Sequence, residues 1–350
     1  MPTTLNRRTF AKTLAAGVFG GAVLGTGLRA WLNREPSARV TILKATSYTD
    51  NLAALIRRGL QNYPAAIARA RGRRVVLKPN LVEYREARRV NTHPALVAAA
   101  IEAFRSLGAR EVLVAEGPGH QRDTEMLLEQ SGLDEALKAG RSAFVDLNLD
   151  SMHPVPLREN YTRLGQMFFP DTILGADLIV SMPKLKTHHW VGATLSLKNM
   201  FGAVPGAKYG WPKNVLHWCG DQSIAKSIVD INLALRPGFA IIDGIEGMEG
   251  DGPLRGETVR SDVVVMGEDL TAVDATAARV MGLNPERMSY LQVMQRHGGT
   301  ISESRIEQLG EPVSAVRCDF KVLPPFAFLK LVSANCGARE EKIGELIKFC

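Results

Sequence analysis

Short apolar runs alternate with helix-length amphipathic segments along most of this chain. Residues 75–77 are apolar and end at Lys78 and Pro79, and the segment that starts at Pro94 keeps helical spacing up to Gly108. Strands that alternate with helices of this length pair in parallel through right-handed crossovers. The sequence therefore predicts an α/β fold, with an open, mostly parallel sheet and helices on both faces. The expected strands are 39–43, 74–78, 111–115, 143–147, 176–181, 239–243 and 262–266, and the expected helices are 50–71, 94–108, 122–139, 221–235, 270–281 and 286–297.

One segment departs from this alternation. Residues 153–169 have mixed polarity and contain Pro154 and Pro156, which predicts a small hairpin insertion. We expect a single α/β domain over residues 31–300, because α/β folds of this size often form one unit. Residues 301–350 carry no chemical motif, and we expect them to form a C-terminal extension packed on that domain.

The first 30 residues have the character of a targeting segment. Arg7 and Arg8, followed by a phenylalanine and a lysine, resemble the twin-arginine export pattern, and residues 13–27 carry no charge. This stretch is short for a membrane-spanning helix, which needs about 20 apolar residues. Residues 28–30 form a poor cleavage site, so a cleaved signal and an uncleaved N-terminal anchor both stay open.

These features predict where the protein works. We expect export by the twin-arginine machinery to the periplasm, or anchoring on the outer side of the cytoplasmic membrane through residues 13–30. That route carries folded proteins, which is a hint of a cofactor or metal loaded before export.

Removing residues 1–30 also removes most of the net charge. Lys+Arg falls from 43 to 39 against 36 Asp+Glu, so the excess falls from +7 to +3. Aromatic residues make up only 6% of the chain, whereas a nucleic-acid-binding face is basic and often carries aromatic side chains. Nucleic acid is therefore not an expected partner.

The four cysteines are too far apart for a local metal site. No two of them lie closer than 14 residues, and no Cys-x-x-Cys pair occurs. Iron–sulfur clusters and structural zinc sites usually have closely spaced cysteines. No iron–sulfur cluster is expected, and a divalent metal stays open as a cofactor.

A basic segment directly follows the predicted strand at 176–181. Residues 182–208 hold four lysines, two histidines and an asparagine among glycines and prolines. Ligands of open α/β sheets bind at the carboxyl ends of the strands. Clustered ammonium groups repel one another unless an anion or acidic side chains lie between them. We therefore predict a site for a carboxylate, a phosphate or an acidic cofactor, with a solvated basic loop as the alternative. The predicted substrate-binding side chains are Lys78, Asn80, Lys184, Lys186, Lys198, Asn199 and Lys208.

An acidic segment follows the predicted strand at 239–243 and would lie at the same edge of the sheet. It holds four carboxylates among glycines, and oxygen ligands of this kind suit Mg²⁺ or Ca²⁺. The spacing differs from that of an EF-hand loop, so salt bridges to the basic segment are the alternative. The predicted metal ligands are Asp243, Glu246, Glu249 and Asp251.

Several short motifs follow one another in a fixed order over residues 74–300. They are Lys78-Pro79-Asn80, Thr92-His93-Pro94, Glu116-Gly117-Pro118-Gly119, Pro183-Lys184-Leu185-Lys186-Thr187-His188, Leu197-Lys198-Asn199 with Phe201-Gly202, Glu249-Gly250-Asp251-Gly252-Pro253, and Ala272-Val273-Asp274-Ala275 with Met281-Gly282.

This series resembles the domain of unknown function family 362 (DUF362). The resemblance implies a family whose biochemical role is not established. Some of its members carry a ferredoxin-type cluster domain rich in cysteine, which this sequence lacks. Electron transfer by this chain alone is thereby put in doubt.

A second resemblance is one of outline. The order of a Thr-His-Pro helix start, a strand that ends in Glu-Gly-Pro-Gly-His and a basic loop followed by a histidine is similar to the nickel-pincer lactate racemase family. That likeness implies histidines for proton transfer or ligation, and lysines for anionic groups. The corresponding residues are His93, His120, His188 and His217, with Lys184, Lys186 and Lys198.

Two classes of function follow from these patterns. The first is an enzyme that binds an anionic small molecule through the lysine and histidine segment and moves a proton, with or without a metal or cofactor. Its predicted catalytic residues are His188, His120 and His93, since imidazole titrates near neutrality. A capping role is the alternative for His93, which precedes a helix. The second class is a non-catalytic accessory protein that binds an anion or a cofactor in the same place.

Overall fold

The predicted alternation builds one large sheet with helices on both sides. The computed structural model describes residues 37–86, 89–119, 123–210, 213–218 and 223–331. The export signal predicted at residues 1–30 and the predicted catalytic residue His120 lie outside the described residues. The strands are β1 (Ala38–Lys44), β2 (Arg74–Pro79), β3 (Glu111–Glu116), β4 (Phe144–Asp146), β5 (Met152–Pro156), β6 (Gln166–Pro170), β7 (Leu178–Met182), β8 (Lys184–His188), β9 (Gly192–Thr194), β10 (Phe239–Glu249), β11 (Glu257–Gly267) and β12 (Ile306–Gly310).

The helices fill the intervals between the strands. They are α1 (Leu52–Leu60), α2 (Pro64–Ala70), α3 (Pro94–Ser106), α4 (Thr124–Ser131), α5 (Leu133–Ala139), α6 (Asp171–Leu174), α7 (Ser196–Asn199), α8 (Gly206–Tyr209), α9 (Asn214–Trp218), α10 (Ser223–Leu235), α11 (Leu270–Val280), α12 (Ser289–Arg296) and α13 (Val313–Val316). Short 3₁₀ helices lie at Met200–Ala203, Pro285–Arg287, Glu303–Arg305 and Pro324–Leu329.

The large sheet is mostly parallel, as the sequence predicts. Its strand order is β12-β1-β11-β10-β7-β2-β3-β4, and β8 lies beside β10 with β9 as its other neighbour. The antiparallel pairs are β1–β11, β11–β10 and β8–β9. Strands β5 and β6 form a separate antiparallel hairpin, which confirms the predicted insertion.

Side chains along each central strand alternate between two apolar cores. In β2, Val75 and Leu77 pack with α1 to α5, and Val76 packs on the opposite face with α6 to α12. The strand period of two explains this alternation, because successive side chains point to opposite faces of a sheet. Both faces are therefore covered by helices, as expected.

The helix predicted at 50–71 is divided into two. Asn51 caps α1 by accepting a hydrogen bond from the Ala54 amide. Pro64 then begins α2, at a position where its missing N–H removes no helical hydrogen bond. The division follows from this proline, since a continuous helix would have placed it in the helix interior.

Within the basic segment, Lys184–His188 form strand β8, where the alternative prediction was a solvated basic loop. Only Pro183 separates β7 from β8, and both strands pair in parallel with β10. Strand β10 itself continues to Glu249, so most of the predicted acidic loop is also strand. Strands β8 and β10 extend past Pro79, the last residue of β2, and form one wall of the site described below.

Part of the predicted C-terminal extension, Ile306–Gly310, takes part in the sheet. Strand β12 pairs in parallel with β1 and adds an edge strand, so this part of the predicted extension is integral to the domain. Residues 332–350 lie outside the described residues. Among the residues that are described, no helix is long and apolar enough to cross a membrane; the predicted tether at 13–30 is not among them.

Candidate functional site

A cavity of about 490 Å³ lies at the carboxyl edge of the parallel strands. Its wall is formed by β8 and β9, by α7, and by the turns that follow β2, β3 and β10. Basic and imidazole side chains dominate its polar lining: Lys186, Lys198, Lys213, Arg255, His188, His189 and His217. The carboxylates in the same lining are Glu116 and Asp251.

Strand β8 sets the direction of its basic side chains. Because side chains alternate along a strand, Lys184, Lys186 and His188 share one face, and Leu185 between them is buried in the core. Lys186 and His188 line the cavity. The extended backbone therefore places two predicted site residues together, which a flexible loop would not do.

Lys186 is held by three oxygen atoms. Its amine donates to Asn80 Oδ1 at 2.6 Å, to the Val90 carbonyl at 2.8 Å and to the Pro253 carbonyl at 3.4 Å. Burial, and then the charges of Lys184 and Lys198, lower the pKa of Lys186 to about 7. The three oxygens match the three N–H groups of an ammonium, so this side chain supplies positive charge with all its donors committed.

Lys213 has a similar setting that the sequence did not reveal. Its amine donates to the carbonyls of Gly117 at 3.0 Å, Gly202 at 3.1 Å and Phe201 at 3.4 Å. Burial lowers the pKa of Lys213 to about 7, against the opposing effect of the Glu116 carboxylate. The residue lies just before α9 with a φ of 70°, in a segment with no periodic pattern that could have pointed to it.

Lys198 differs from both of these lysines. Its amine lies 4.1 Å from the centre of the Phe201 ring. Among the described residues it makes no hydrogen bond or ion pair, so none of its N–H groups is committed to a protein oxygen. Burial, and then the charges of Lys213 and Lys78, lower the pKa of Lys198 to about 7.

Asn199 presents an unpaired acceptor at the same wall. Its Nδ2 donates to the Lys78 carbonyl at 2.9 Å and to Ser181 Oγ at 3.1 Å, which fixes the orientation of the amide. Its Oδ1 is buried and has no partner within the described part of the chain. A buried acceptor without a donor is costly, so a donor on a bound ligand or water would be stabilising here.

The short helix α7, which carries Lys198 and Asn199, is anchored from a distance. Asp274 in α11 accepts hydrogen bonds from the Ser196 amide at 2.7 Å and the Leu197 amide at 3.0 Å, and it also bonds the Ser196 hydroxyl. Burial raises the pKa of Asp274 to about 7. Its main partners are therefore the first N–H groups of α7.

A buried ion pair lies behind the cavity. Lys78 donates to Glu116 Oε2 at 2.5 Å, and the Gly117 amide donates to Glu116 Oε1 at 2.8 Å, so both carboxylate oxygens are occupied. A Cβ at Gly202 would collide with this carboxylate and with the Lys78 amine. The pair therefore requires glycine at 202, which accounts for the Phe201-Gly202 motif.

The hydrogen bonds of His188 define its tautomer. Its Nδ1 accepts from the Trp190 amide at 3.0 Å, and burial followed by the charge of Lys198 holds the pKa of His188 well below its usual range. A neutral imidazole has one donor and one acceptor nitrogen, so the proton is on Nε2. His188 is thus assigned as a hydrogen-bond donor in the cavity.

The other two cavity histidines have the complementary arrangement. His189 Nδ1 donates to the Gly252 carbonyl at 2.9 Å, and His217 Nδ1 donates to the Lys213 carbonyl at 3.1 Å. When neutral, each then has its lone pair on Nε2. The cavity therefore combines imidazole groups of both polarities.

Lys184 and His93 belong to a separate closed network outside the cavity lining. Lys184 donates to Asp243 at 2.9 Å and to the Tyr48 hydroxyl at 2.6 Å, and Tyr48 donates to the same carboxylate at 2.8 Å. The His93 ring stacks on Tyr48, and its Nδ1 accepts from the Ala95 amide and caps α3. The structure therefore places His93 in a capping role, and Lys184 in an ion pair.

The four predicted metal ligands do not converge. Asp243 is paired with Lys184, Glu246 bonds Arg89, and Glu249 pairs with Lys321 at 2.9 Å. The strand geometry of β10 spreads the first three along its length, and Asp251 lies 3.9 Å from His189. Across the described part of the chain, no group of three or more His, Cys, Asp or Glu side chains is arranged to hold a metal ion.

The remaining predictions divide between the cavity and its surroundings. Asn80 and Asn199 line the cavity with Lys186, Lys198 and His188. Lys208 is exposed, and its amine lies 4.3 Å from the centre of the Phe168 ring, away from the lining. Sequence reasoning also missed Arg255, which is exposed at the cavity and has no carboxylate partner within the described residues.

Comparison with known proteins gives a family match and distant structural likenesses. A family model described as "Domain of unknown function (DUF362)" matches residues 75–279. A thylakoid-associated protein of Synechocystis sp. is 27% identical over 240 residues, which cover 65% of this chain and 68% of that protein.

Two solved structures are similar in part. The lactate racemase apoprotein from Thermoanaerobacterium thermosaccharolyticum has a TM-score of 0.46 and 12% identity, over 69% of this chain and 57% of that chain. A Thermotoga maritima protein has a TM-score of 0.34 and 12% identity, over 64% of this chain and 58% of that chain. The chain thus spans less than two thirds of either solved protein, and neither likeness supports an argument about function.

Proposed function

The chain belongs to the DUF362 family, whose name assigns no activity, and from that premise we propose that it is an enzyme acting on an anionic small molecule. The molecule carries a carboxylate or phosphate and binds in the cavity at the carboxyl edge of the sheet. The reaction moves a proton to or from it.

The observation that carries this proposal is an imbalance of charge. Lys186, Lys198, Lys213 and Arg255 line the cavity. Of the two carboxylates in the lining, Glu116 already pairs with Lys78. Cations gathered in one cavity with so little acidic compensation repel one another, and an anion between them would relieve that repulsion.

The lowered lysine pKa values make a further consequence measurable. A bound anion stabilises the ammonium form and therefore raises the pKa of each lysine near it. Binding then takes up protons from solution at pH values above about 7, where the free lysines are partly unprotonated. Affinity should strengthen as pH falls from about 9 to about 7.

Proton transfer is supported by the same environment. A group that titrates near pH 7 is well matched to general acid–base catalysis at neutral pH. Lys198 has such a pKa, and no oxygen among the described residues accepts from its amine. His188 offers an Nε2–H donor in the same cavity. A cavity of about 490 Å³ is within the range of small-molecule sites.

Isothermal titration calorimetry tests the binding step. Acetate, pyruvate, inorganic phosphate and glycerol phosphate are titrated at pH 7 and pH 9 in two buffers of different ionisation enthalpy, which reports the protons taken up. We expect at least one anion to bind with proton uptake, and Lys198→Met to weaken it by about tenfold or more, as for a lost charge-assisted contact.

Lys208→Met is the matched control, because Lys208 lies outside the lining. Equal affinity in both variants and the wild type, or the absence of binding by every anion, would contradict the proposal.

The alternative is an accessory protein that binds the anion without chemistry. It is favoured by the full set of oxygen partners on Lys186 and Lys213, since such fixed ammonium groups suffice for binding. His188→Asn separates the two functions. If the protein is an enzyme, the variant should keep most of its anion affinity and lose the hydrogen–deuterium exchange that the wild type catalyses at the bound ligand. Absence of exchange in both the wild type and the variant would assign the accessory role.

We also propose that the chain is exported and acts at or near a membrane. The proposal rests on the twin-arginine pattern at Arg7 and Arg8 and on residues 13–30 as a tether. The related Synechocystis protein is named as thylakoid-associated. Cell fractionation of the Arg7→Lys/Arg8→Lys double variant tests it: retention of the variant in the cytoplasm is expected, and unchanged distribution would contradict export by this route.

A further inference from the structure

We infer that Lys198 is a nucleophile that forms a Schiff base with a carbonyl group on the anionic ligand. The ligand class is a small aldehyde or ketone that also carries a carboxylate or phosphate. This inference rests on the proposed function, because it requires the anion to bind in the same cavity.

The contrast among the three cavity lysines carries the argument. Lys186 and Lys213 each donate to three protein oxygens, so their ammonium forms have no N–H group left for a ligand, and either amine would have to break hydrogen bonds before it could attack a carbonyl. Lys198 has no such partner in the described part of the chain and contacts the face of Phe201 instead. An amine without oxygen partners can approach a carbonyl carbon without first breaking a hydrogen bond.

The surroundings of Lys198 favour its reactive form. Burial and the neighbouring ammonium groups of Lys213 and Lys78 both disfavour a charge on this amine. An apolar environment beside other cations is a known way to activate a lysine for imine formation. A substantial fraction of the amine is then unprotonated at neutral pH, compared with roughly one in a thousand or fewer for an ordinary lysine.

Two other cavity groups fit the steps of this reaction. His188 carries its proton on Nε2 and can donate to the carbonyl oxygen as the amine attacks. Asn199 Oδ1 is a buried acceptor with no donor among the described residues, and it can accept from the hydroxyl group of the tetrahedral adduct. Arg255 and the fixed charges of Lys186 and Lys213 balance the carboxylate or phosphate.

The reaction balances without an oxidant or reductant. The nitrogen lone pair of Lys198 adds to the carbonyl carbon, and the C=O electron pair moves to oxygen, which takes up a proton. The nitrogen loses a proton, which gives a neutral carbinolamine. Loss of the hydroxyl group with one proton as water leaves the imine, whose positive protonated form withdraws electrons and acidifies the adjacent C–H. This acidification links the inference to the proton transfer proposed above.

Borohydride trapping tests the inference on the full chain. The protein is incubated with pyruvate, or in parallel with pyridoxal phosphate, reduced with sodium borohydride and mapped by peptide mass spectrometry. We expect Lys198 to be labelled at least about tenfold faster than exposed lysines such as Lys208, because far more of its amine is unprotonated. The labelling rate should rise from pH 6 to pH 8 and then level off.

Lys198→Arg keeps the positive charge and removes the nucleophile. This variant should bind anions in the calorimetric assay, which shows that it is folded, and should lose the fast labelling. In the Lys208→Arg control, Lys198 should be labelled at the wild-type rate.

The outcomes separate the two proposals. Anion binding without preferential labelling of Lys198 by either reagent would overturn the Schiff base and leave the proposed function standing. Labelling centred on Lys186 or Lys213 would overturn it as well. Failure of both binding and labelling would overturn the proposed function together with the inference.

Discussion

Two groups of buried or half-buried lysines lie side by side in this protein and are compensated in opposite ways. Lys184 and Lys186 are two positions apart on β8, on the same face. Lys184 meets Asp243 and Tyr48, with the lysine and the carboxylate both fully buried. Lys186 meets neutral oxygens only, and its lysine neighbours in the cavity, Lys198 and Lys213, have no carboxylate partner within the described residues.

This difference distinguishes a lysine that is part of a structural ion pair from lysines that favour the binding of an anion. A buried lysine with a carboxylate partner needs nothing further, and removing that partner leaves an uncompensated charge. A buried lysine without one destabilises the empty protein and stabilises a complex with an anion. Lys184 and Lys186 belong to a single Lys-x-Lys pattern, so only the position of the acidic group distinguishes the two lysines.

The largest expected effect comes from removing the carboxylate partner of Lys184. Asp243→Ala removes the partner of Lys184 and also the acceptor of Tyr48 and of the His93 amide. We expect a loss of about 3–5 kcal/mol in the free energy of unfolding, as found when one partner of a buried ion pair is removed. Urea unfolding monitored by circular dichroism measures it.

A second variant serves as the control for this loss. Lys184→Met/Asp243→Leu removes both charges and should recover a large part of the stability, because no unpaired charge remains. A single variant as stable as the wild type would contradict the structural role of this pair.

The cavity lysines, which have no carboxylate partner within the described residues, predict an unusual pH dependence of stability. For each cavity lysine the folded pKa is about 7 and the ordinary value is 10.5, so between these values the unfolded chain binds more protons than the folded one. Stability should therefore rise as pH increases from about 7 to 9, by up to about 1.4 kcal/mol per pH unit for each lysine that titrates. Urea unfolding at pH 7, 8 and 9 measures the slope.

Two conditions should flatten that slope. Lys198→Met removes one titrating group, and a saturating anion keeps the lysines charged in the folded state. The mutation should leave stability at pH 7 unchanged or slightly higher, in contrast to Asp243→Ala. A slope that is the same in wild type, variant and complex would show that these lysines are not desolvated.

The smallest effect is expected at His93, which the structure places outside the cavity. His93→Ala removes the side-chain cap of α3 and the stacking contact with Tyr48. Loss of a cap typically costs about 1 kcal/mol, and anion affinity should stay within about twofold of the wild type, since no cavity contact is lost. Thermal unfolding and calorimetry measure the two quantities, and a large loss of affinity with intact stability would return His93 to the site.

The fold was largely predictable because its signals are local. Hydrophobic periodicity located β2 and α3, and strand–helix alternation indicated parallel pairing. Mixed polarity and two prolines indicated the hairpin of β5 and β6. The prediction failed at β8. Lys184, Lys186 and His188 alternate with the period of two that is typical of a strand, but their polarity after Pro183 also suits a solvated loop. The polar face of this strand lines the cavity and contributes one partner of a buried ion pair. The sequence alone does not indicate these surroundings.

The site was predictable only in part because its partners are distant and often neutral. The segment 182–208 supplied Lys186, His188 and Lys198, which do line one cavity. Lys213 and Arg255 come from irregular segments, and no spacing connects them to β8. The main partners of Asp274 are backbone amides, which nearly every residue possesses, so composition gives no indication of them.

The distance between Asp274 and the helix it holds has a consequence for how the protein is made. Ser196 and Asp274 are 78 positions apart, so Lys198 and Asn199 leave the ribosome well before the carboxylate that fixes them. During that interval the basic segment is complete in sequence, but α7 lacks the carboxylate that accepts from its first N–H groups. A nascent chain therefore gains its cavity only when α11 has been synthesised and packed, and ligand capture reports that most of the domain has been completed.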